Sequence, residues 1–217
     1  MTGSLQSTLE HLSGLVACDS RNPPRTIQAD GPLFNYLRGN LPGFSFQVQD
    51  HGDGCISLLA VRGNTDTLFN FHVDTVPANQ QWSMDPLELQ VKDDKAYGLG
   101  ACDIKGASAA MLSAVNRCQG PAALLFSSDE EAGNSTCIRR FLESDHGYTR
   151  AIIAEPTQAM AVCAHRGIAT AGLTFRGIPG HASAARALDD SAVHRAVQWS
   201  AAALDYIRAH QQTTFEN

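Results

Sequence analysis

Leu5, Leu9, Leu12, Leu15 and Val16 recur at helical spacing along the first segment, which predicts an amphipathic helix there. "RNPPR" (21–25) interrupts it, and a second helix carrying Phe34 and Leu37 is expected to begin near Gly31 and Pro32, where a proline is tolerated in the first turn. "FSFQVQD" (44–50) alternates with period two, "CISLLAV" (55–61) is a short apolar run, and "HGDG" between them is turn chemistry, so both read as strands. "TLFNFHV" (67–73) is the next strand. After a polar stretch, "KGASAAMLSAVNRC" (105–118) has the small apolar pattern of a buried helix. "AALLF" (122–126) reads as a strand, "STCIRRFLES" (135–144) as a helix and "AIIAE" (151–155) as a strand. Strands alternating with helices predict an α/β fold with a mostly parallel sheet flanked by helices on both faces.

The pattern changes near residue 160. "MAVCAH" (160–165) and "IATAGLTF" (168–175) predict paired strands around "RG", and residues 184 to 210 predict one long helix. The expected organisation is one domain over residues 1–160 and the start of a smaller α/β domain over 161–217.

Ligands of open α/β sheets bind beyond the carboxyl ends of the strands, and here those ends carry chemistry. "TLFNFHVD" ends in His72 and Asp74, "AALLFSSDEE" in Asp129, Glu130 and Glu131, and "AIIAEP" in Glu155 with Pro156 stopping the strand. "YGLGACDIKG" delivers Asp103 on a glycine-flanked turn just before a helix. Like charges packed as closely as the acidic triplet raise each other's pKa, and a bound cation offsets that cost. One histidine with several carboxylates suits zinc, cobalt or manganese. In "HVD" the period-two spacing lets Asp74 accept the second N–H of the imidazole and fix its tautomer. Of the adjacent Glu130 and Glu131, one can ligate while the other serves as a base toward water polarised by the cation.

Each piece has an ordinary explanation when taken alone. "SDEE" fits a helix N-terminus with Ser128 as cap and Glu131 closing a capping box. His72 fits a core histidine, Asp103 a helix cap, and Glu155 with Pro156 a strand-end turn. Their recurrence at four successive connections along one sheet edge favours the metal reading. Structural calcium would call for a shell of oxygens, which His72 does not fit. "GLGACD" lacks the third glycine of a dinucleotide loop, "DIKGAS" lacks the glycine spacing of a phosphate loop, and no G-x-S-x-G or H-E-x-x-H occurs.

Composition narrows the partners. With 43% hydrophobic and 18% charged residues, the 217-residue chain is of ordinary globular make-up. Its formal charge of -6 and the lack of a Lys/Arg run argue against nucleic acid. No apolar stretch approaches the roughly 20 residues of a membrane span. The polar-apolar alternation of the first 15 residues is unlike a signal peptide, so a soluble cytoplasmic protein is expected. The six scattered cysteines read as reduced thiols.

The stretches "HVDTVP" (72–77), "GLGACDIKG" (98–106), "SSDEEAG" (127–133), "AEPT" (154–157) and "GIPGHAS" (177–183), in this order, resemble the M20 family of metallopeptidases and deacylases. The resemblance implies a zinc-dependent amide hydrolase with two Zn2+ ions per complete active site, Co2+ being a possible substitute. It implies His72, Asp103, Glu131 and Glu155 as metal ligands, Asp103 bridging, with the division of the others between the ions left open. Glu130 is implied as general base and Asp74 as the residue orienting His72. It further implies that residues 1–160 form an incomplete metallohydrolase catalytic domain and 161–217 the start of an inserted lid and dimerisation domain. His181 would reach into the active site of the partner in a homodimer and stabilise the oxyanion. "NPPR", "FHVDTVP", "FSSDEEA" and "AHRGI" are most similar to the acetylornithine deacetylase branch, including relatives acting on N-acetylcitrulline in arginine biosynthesis. The substrate implied is a small N-acyl amino acid. The alternatives are a desuccinylase or dipeptidase of the same family, or a catalytically inert fragment. Family members supply a second metal-binding histidine after the insertion. His165, His194 and His210 do not match it, so the two-metal site is expected to be incomplete in these 217 residues, as in either a truncated gene product or a fragment.

Overall fold

The computed structural model describes residues 3–24, 27–164, 170–181, 183 and 185–210. The chain divides into two compact units, residues 1–162 and 163–217.

The first unit is built on a five-stranded sheet. Its strands are β1 (Ser45–Asp50), β2 (Ile56–Arg62), β3 (Thr67–His72), β6 (Ala122–Ser127) and β7 (Arg150–Ile153), in the order β1-β2-β6-β3-β7. β1 with β2 and β2 with β6 pair antiparallel, whereas β3 pairs parallel with both β6 and β7. The sheet is therefore mixed, with its parallel character confined to the β6-β3-β7 half. The "HGDG" turn makes β1 and β2 a hairpin, and a hairpin is antiparallel by construction. Between β3 and the next helix lies a short hairpin, β4 (Gln90–Lys92) and β5 (Lys95–Tyr97), in what reads as a polar stretch. Asp93 and Asp94 both take positive φ at its turn, a conformation aspartate tolerates better than most residues.

Period-two alternation divides the side chains between two layers. Leu58, Ala60, Phe71, Leu124 and Phe126 face a core completed by α1 (Gly3–Ala17), α2 (Pro32–Gly39) and α3 (Lys105–Arg117). From the first two helices come Leu12, Leu15, Val16, Leu33, Phe34 and Leu37, whereas Leu5, in the same helical stripe, is 47% exposed near the start of α1. Phe71 and Phe126 stack at 5.3 Å within this layer. On the opposite face Leu68, Ala123 and Leu125 pack with Phe141 of α4 (Thr136–Leu142). β6 is buried along its whole length, which is why its sequence is an unbroken apolar run.

The second unit departs from the expected pattern. The strands expected over 160–165 and 168–175 are absent among the described residues, while 165–169 lie outside them. A lone hairpin is marginal without further strands or a packed helix, and among the described residues no sheet covers α6 (Ala192–His210). Its Val197, Leu204 and Ile207 are exposed. The expected single helix over 184–210 is broken at Ser191 into α5 (Ala187–Asp190) and α6, with residue 184 outside the description. The break has a local cause. Ile178 N–H donates to the Asp190 carbonyl at 3.0 Å, and a Cβ on Gly177 would lie 2.4 Å from Ala192 N.

Candidate metal centre

The parallel half of the sheet brings three strand ends to one edge. His72 is the last residue of β3, paired in register with Ser127 of β6, and Val73 N–H continues the ladder to Ser127 O at 2.7 Å. On the other side Ala154 N–H donates to Asn70 O at 3.1 Å, which carries the chain from β7 to Glu155 beside His72. Asp103 arrives on the turn before α3. Gly100 in that turn has φ +77°, and a Cβ there would sit 2.6 Å from Thr75 Cγ2, so only glycine permits the approach.

The result is a buried imidazole ringed by carboxylates. His72 Nε2 faces Asp103 Oδ1 at 3.0 Å and Glu155 Oε1 at 3.7 Å, and the ring is 4% exposed. Ligand atoms of His72, Asp103 and Glu155 all lie within 4.8 Å of one another, as do those of His72, Glu130 and Glu131. His72 Nδ1 faces the Asp74 carbonyl at 3.1 Å and the Asp74 carboxylate at 3.5 Å. Donation from Nδ1 to that carbonyl leaves the Nε2 lone pair directed at the carboxylates, the tautomer that could accept a metal.

Burial alone lowers the His72 pKa. The Asp74 hydrogen bond and the charges of Asp74, Glu155 and Asp103 outweigh it and hold the imidazole near 9. Burial raises the Glu131 carboxyl; His72 opposes that rise, while Glu130, Asp103 and Asp74 add to it. A site that pulls a proton onto its imidazole and toward the Glu131 carboxyl has a deficit of positive charge. A divalent cation with one nitrogen and several oxygen ligands fits that deficit.

The acidic triplet does not act as a unit. Ser128 Oγ bonds Gly54 O at 2.6 Å and receives Ile56 N–H at 2.8 Å, tying β6 to β2 instead of capping a helix. Asp129 is turned inward, 1% exposed, and its Oδ2 accepts Cys137 N–H at 3.0 Å in the first turn of α4. Glu130, exposed, and Glu131, half-buried, are turned toward His72.

Asp74 organises this loop. Its carboxylate, fully buried, accepts Glu130 N–H at 3.3 Å, Glu131 N–H at 3.0 Å and Asn22 Nδ2 at 3.2 Å. Sequence reasoning misses Asn22 as a site-supporting residue, although "NPPR" contains it. It also misses Lys105, 1% exposed, whose Nζ donates to Cys18 O at 2.9 Å beside the Asp103 turn. Burial lowers the Lys105 pKa to about 8, against the opposing pull of Cys18 and Asp19. Its signal was the lysine placed where a buried helix begins.

His181 lies in the second unit, exposed, with Nδ1 2.7 Å from Ser183 Oγ. It lines a cleft of about 410 Å3 with Arg186 and His194. Cys102, beside Asp103, is exposed and free.

A family model described as peptidase family M20/M25/M40 matches residues 68–215, which span the strand-end cluster. The chain belongs to this peptidase family. It is 50% identical over 215 residues to N-acetyl-L-citrulline deacetylase of Xanthomonas campestris pv. campestris, covering 99% of this chain and 59% of that protein. It is 33% identical over 198 residues to acetylornithine deacetylase of Myxococcus xanthus, covering 84% and 50% respectively. The chain thus spans about half to three-fifths of the length of these relatives. Among solved structures it is similar to human carnosine dipeptidase 1, with a TM-score of 0.54 and 22% identity over 69% of this chain and 38% of that one. The dipeptidase Dug1p of Saccharomyces cerevisiae gives a TM-score of 0.54 with 15% identity, covering 70% and 38%. Both likenesses concern the fold. No helix among the described residues is long and apolar enough to cross a membrane.

Proposed function

We propose that the protein carrying this chain is a metal-dependent amide hydrolase that removes the acetyl group from an N-acetyl amino acid, with N-acetyl-L-citrulline the first substrate to test and N-acetylornithine the second. The observation that carries this reading is the convergence of His72, Asp103, Glu155, Glu130 and Glu131 at the carboxyl edge of the parallel strands. The names of the relatives supply the substrate class.

In this reading His72, Asp103, Glu131 and Glu155 would hold zinc, two ions in the complete site, with Asp103 the ligand that both would share and Co2+ able to substitute. Bound there, the metal supplies Lewis acidity to the acyl carbonyl and lowers the pKa of water. Glu130, the more exposed of the pair, takes the proton from the attacking water and returns it to the leaving amine. Asp74 keeps His72 in its ligating orientation and fixes the backbone of Glu130 and Glu131. His181 of a second protomer stabilises the developing oxyanion in a homodimer. The setting is cytoplasmic arginine biosynthesis, with the first unit catalytic and the second the lid and dimerisation insertion.

Amine release from N-acetyl-L-citrulline, N-acetylornithine, N-succinyl-diaminopimelate and a dipeptide tests the substrate class. Preference for the acetyl substrates supports the reading, and preference for the succinyl substrate or the dipeptide overturns it. One observation favours a second reading, that residues 1–217 alone bind metal without turnover. Both three-residue groups among the described residues share His72 as their one nitrogen ligand, and the chain spans 59% of the N-acetyl-L-citrulline deacetylase.

A further inference from the structure

Residues 20–22, after α1, pair with the chain that leaves β3. Thr75 N–H donates to Ser20 O at 2.9 Å, and Asn22 N–H donates back to Thr75 O at 2.8 Å, a parallel bridge beside the end of β3. Asn22, 1% exposed, then places its amide nitrogen between two acceptors from different strand ends: Asp74 Oδ2 at 3.2 Å and Ser128 O at 3.1 Å. Both neighbours are acceptors, so the amide orientation is fixed; the flipped form would set its oxygen against a carboxylate and a carbonyl. The Asn22 Oδ1 has no hydrogen-bond partner among the described residues, so the side chain is retained for its donors.

Three segments meet at this amide. Asp74 follows β3 and approaches His72, Ser128 follows β6 and leads into Glu130 and Glu131, and Asn22 ties the one to the other. We propose that Asn22 is a positioning residue for the metal centre: it sets the Asp74 carboxylate between His72 and the Glu130-Glu131 backbone, and so fixes the distance between the two ligand groups. This rests on the reading of the cluster as a metal site. Asn22 touches neither metal nor substrate and acts through Asp74. Isosteric Asn22→Asp replaces the donor with a second carboxylate against Asp74, and Asn22→Ala removes it.

The test uses the 217-residue chain with Co2+ alone as probe, in wild type, Asn22→Ala, Asn22→Asp and Asn116→Ala. The last deletes another amide donor, the half-buried Asn116 Nδ2 to Asn40 O at 3.1 Å, away from the cluster, and controls for stability. Co2+ affinity and the visible d-d bands are read in each, with hydrogen exchange of the Glu130 and Glu131 amides in metal-free protein. Both Asn22 variants are expected to lose roughly 10-fold or more in Co2+ affinity with altered bands, as removal of an outer-sphere partner does. Protection of the Glu130 and Glu131 amides falls in both, and Asn116→Ala keeps affinity, bands and protection. Unchanged affinity and bands in the Asn22 variants overturn the proposal, as do equal losses in Asn116→Ala. If wild type takes up no Co2+, the metal reading fails, and amide exchange alone decides: protection of both amides retained in Asn22→Ala refutes the positioning role.

Discussion

Replacing Asp74 by asparagine removes one oxygen from a carboxylate that no water reaches. Either orientation of the new amide is wrong. With NH2 at the Oδ2 position it faces Glu131 N–H and the Asn22 amide; at the Oδ1 position it faces Glu130 N–H and the His72 ring. A buried donor left without an acceptor costs about 1–3 kcal/mol, and bonds to a neutral acceptor are weaker by about 1 kcal/mol than bonds to a charged one. Relief of carboxylate desolvation offsets part of this. The net expected loss is about 2–4 kcal/mol, read by urea unfolding of the metal-free protein with an unchanged slope. Asp129→Asn is the matched comparison. It keeps its bond from Cys137 N–H, its other oxygen has no hydrogen-bond partner among the described residues, and it is expected to cost below about 1 kcal/mol. A loss below about 0.5 kcal/mol for Asp74→Asn, or a larger one for Asp129→Asn, would refute the view of Asp74 as the hub of the acidic loop.

If the protein hydrolyses N-acetyl-L-citrulline as proposed, Glu130→Gln in the active protein is expected to lower kcat about 100-fold or more with bound metal unchanged, while unaltered turnover removes Glu130 as the base. Phe126→Ala, at a fully buried ring stacked on Phe71, is expected to cost about 3–5 kcal/mol in the same unfolding assay. In native protein near pH 8, iodoacetamide should label Cys102, Cys118 and Cys163, which are exposed, and spare Cys18 and Cys137, whose thiols burial pushes up; peptide mass spectrometry reads the pattern.

What the sequence made legible follows from the kind of signal each element carries. The central strands and the first three helices announce themselves because burial on one or both faces imposes a period, as in "AALLF" or the Leu12-Leu15-Val16 stripe. The β4-β5 hairpin is short and exposed, with only Asp93 and Asp94 to mark it. The strands expected after residue 160 carry the right composition, but pairing depends on partners that composition does not report. At the centre, His72, Asp103, Glu130, Glu131 and Glu155 are readable as strand-end and turn residues, and the structure brings them together. Asp129 looks identical to its neighbours in sequence; only the direction of its side chain separates a helix cap from a ligand. Asn22 lies 52 residues from Asp74, and a long-range buried hydrogen bond leaves no periodic trace.

The central claim, that the strand-end cluster holds a divalent metal, is tested most directly by zinc content per chain. Elemental analysis after dialysis would be run on wild type and on His72→Ala, which removes the nitrogen ligand common to both groups. The account predicts about one or two ions per wild-type chain and a clear loss in the variant. No zinc in the wild type, or equal zinc in both proteins, would contradict it.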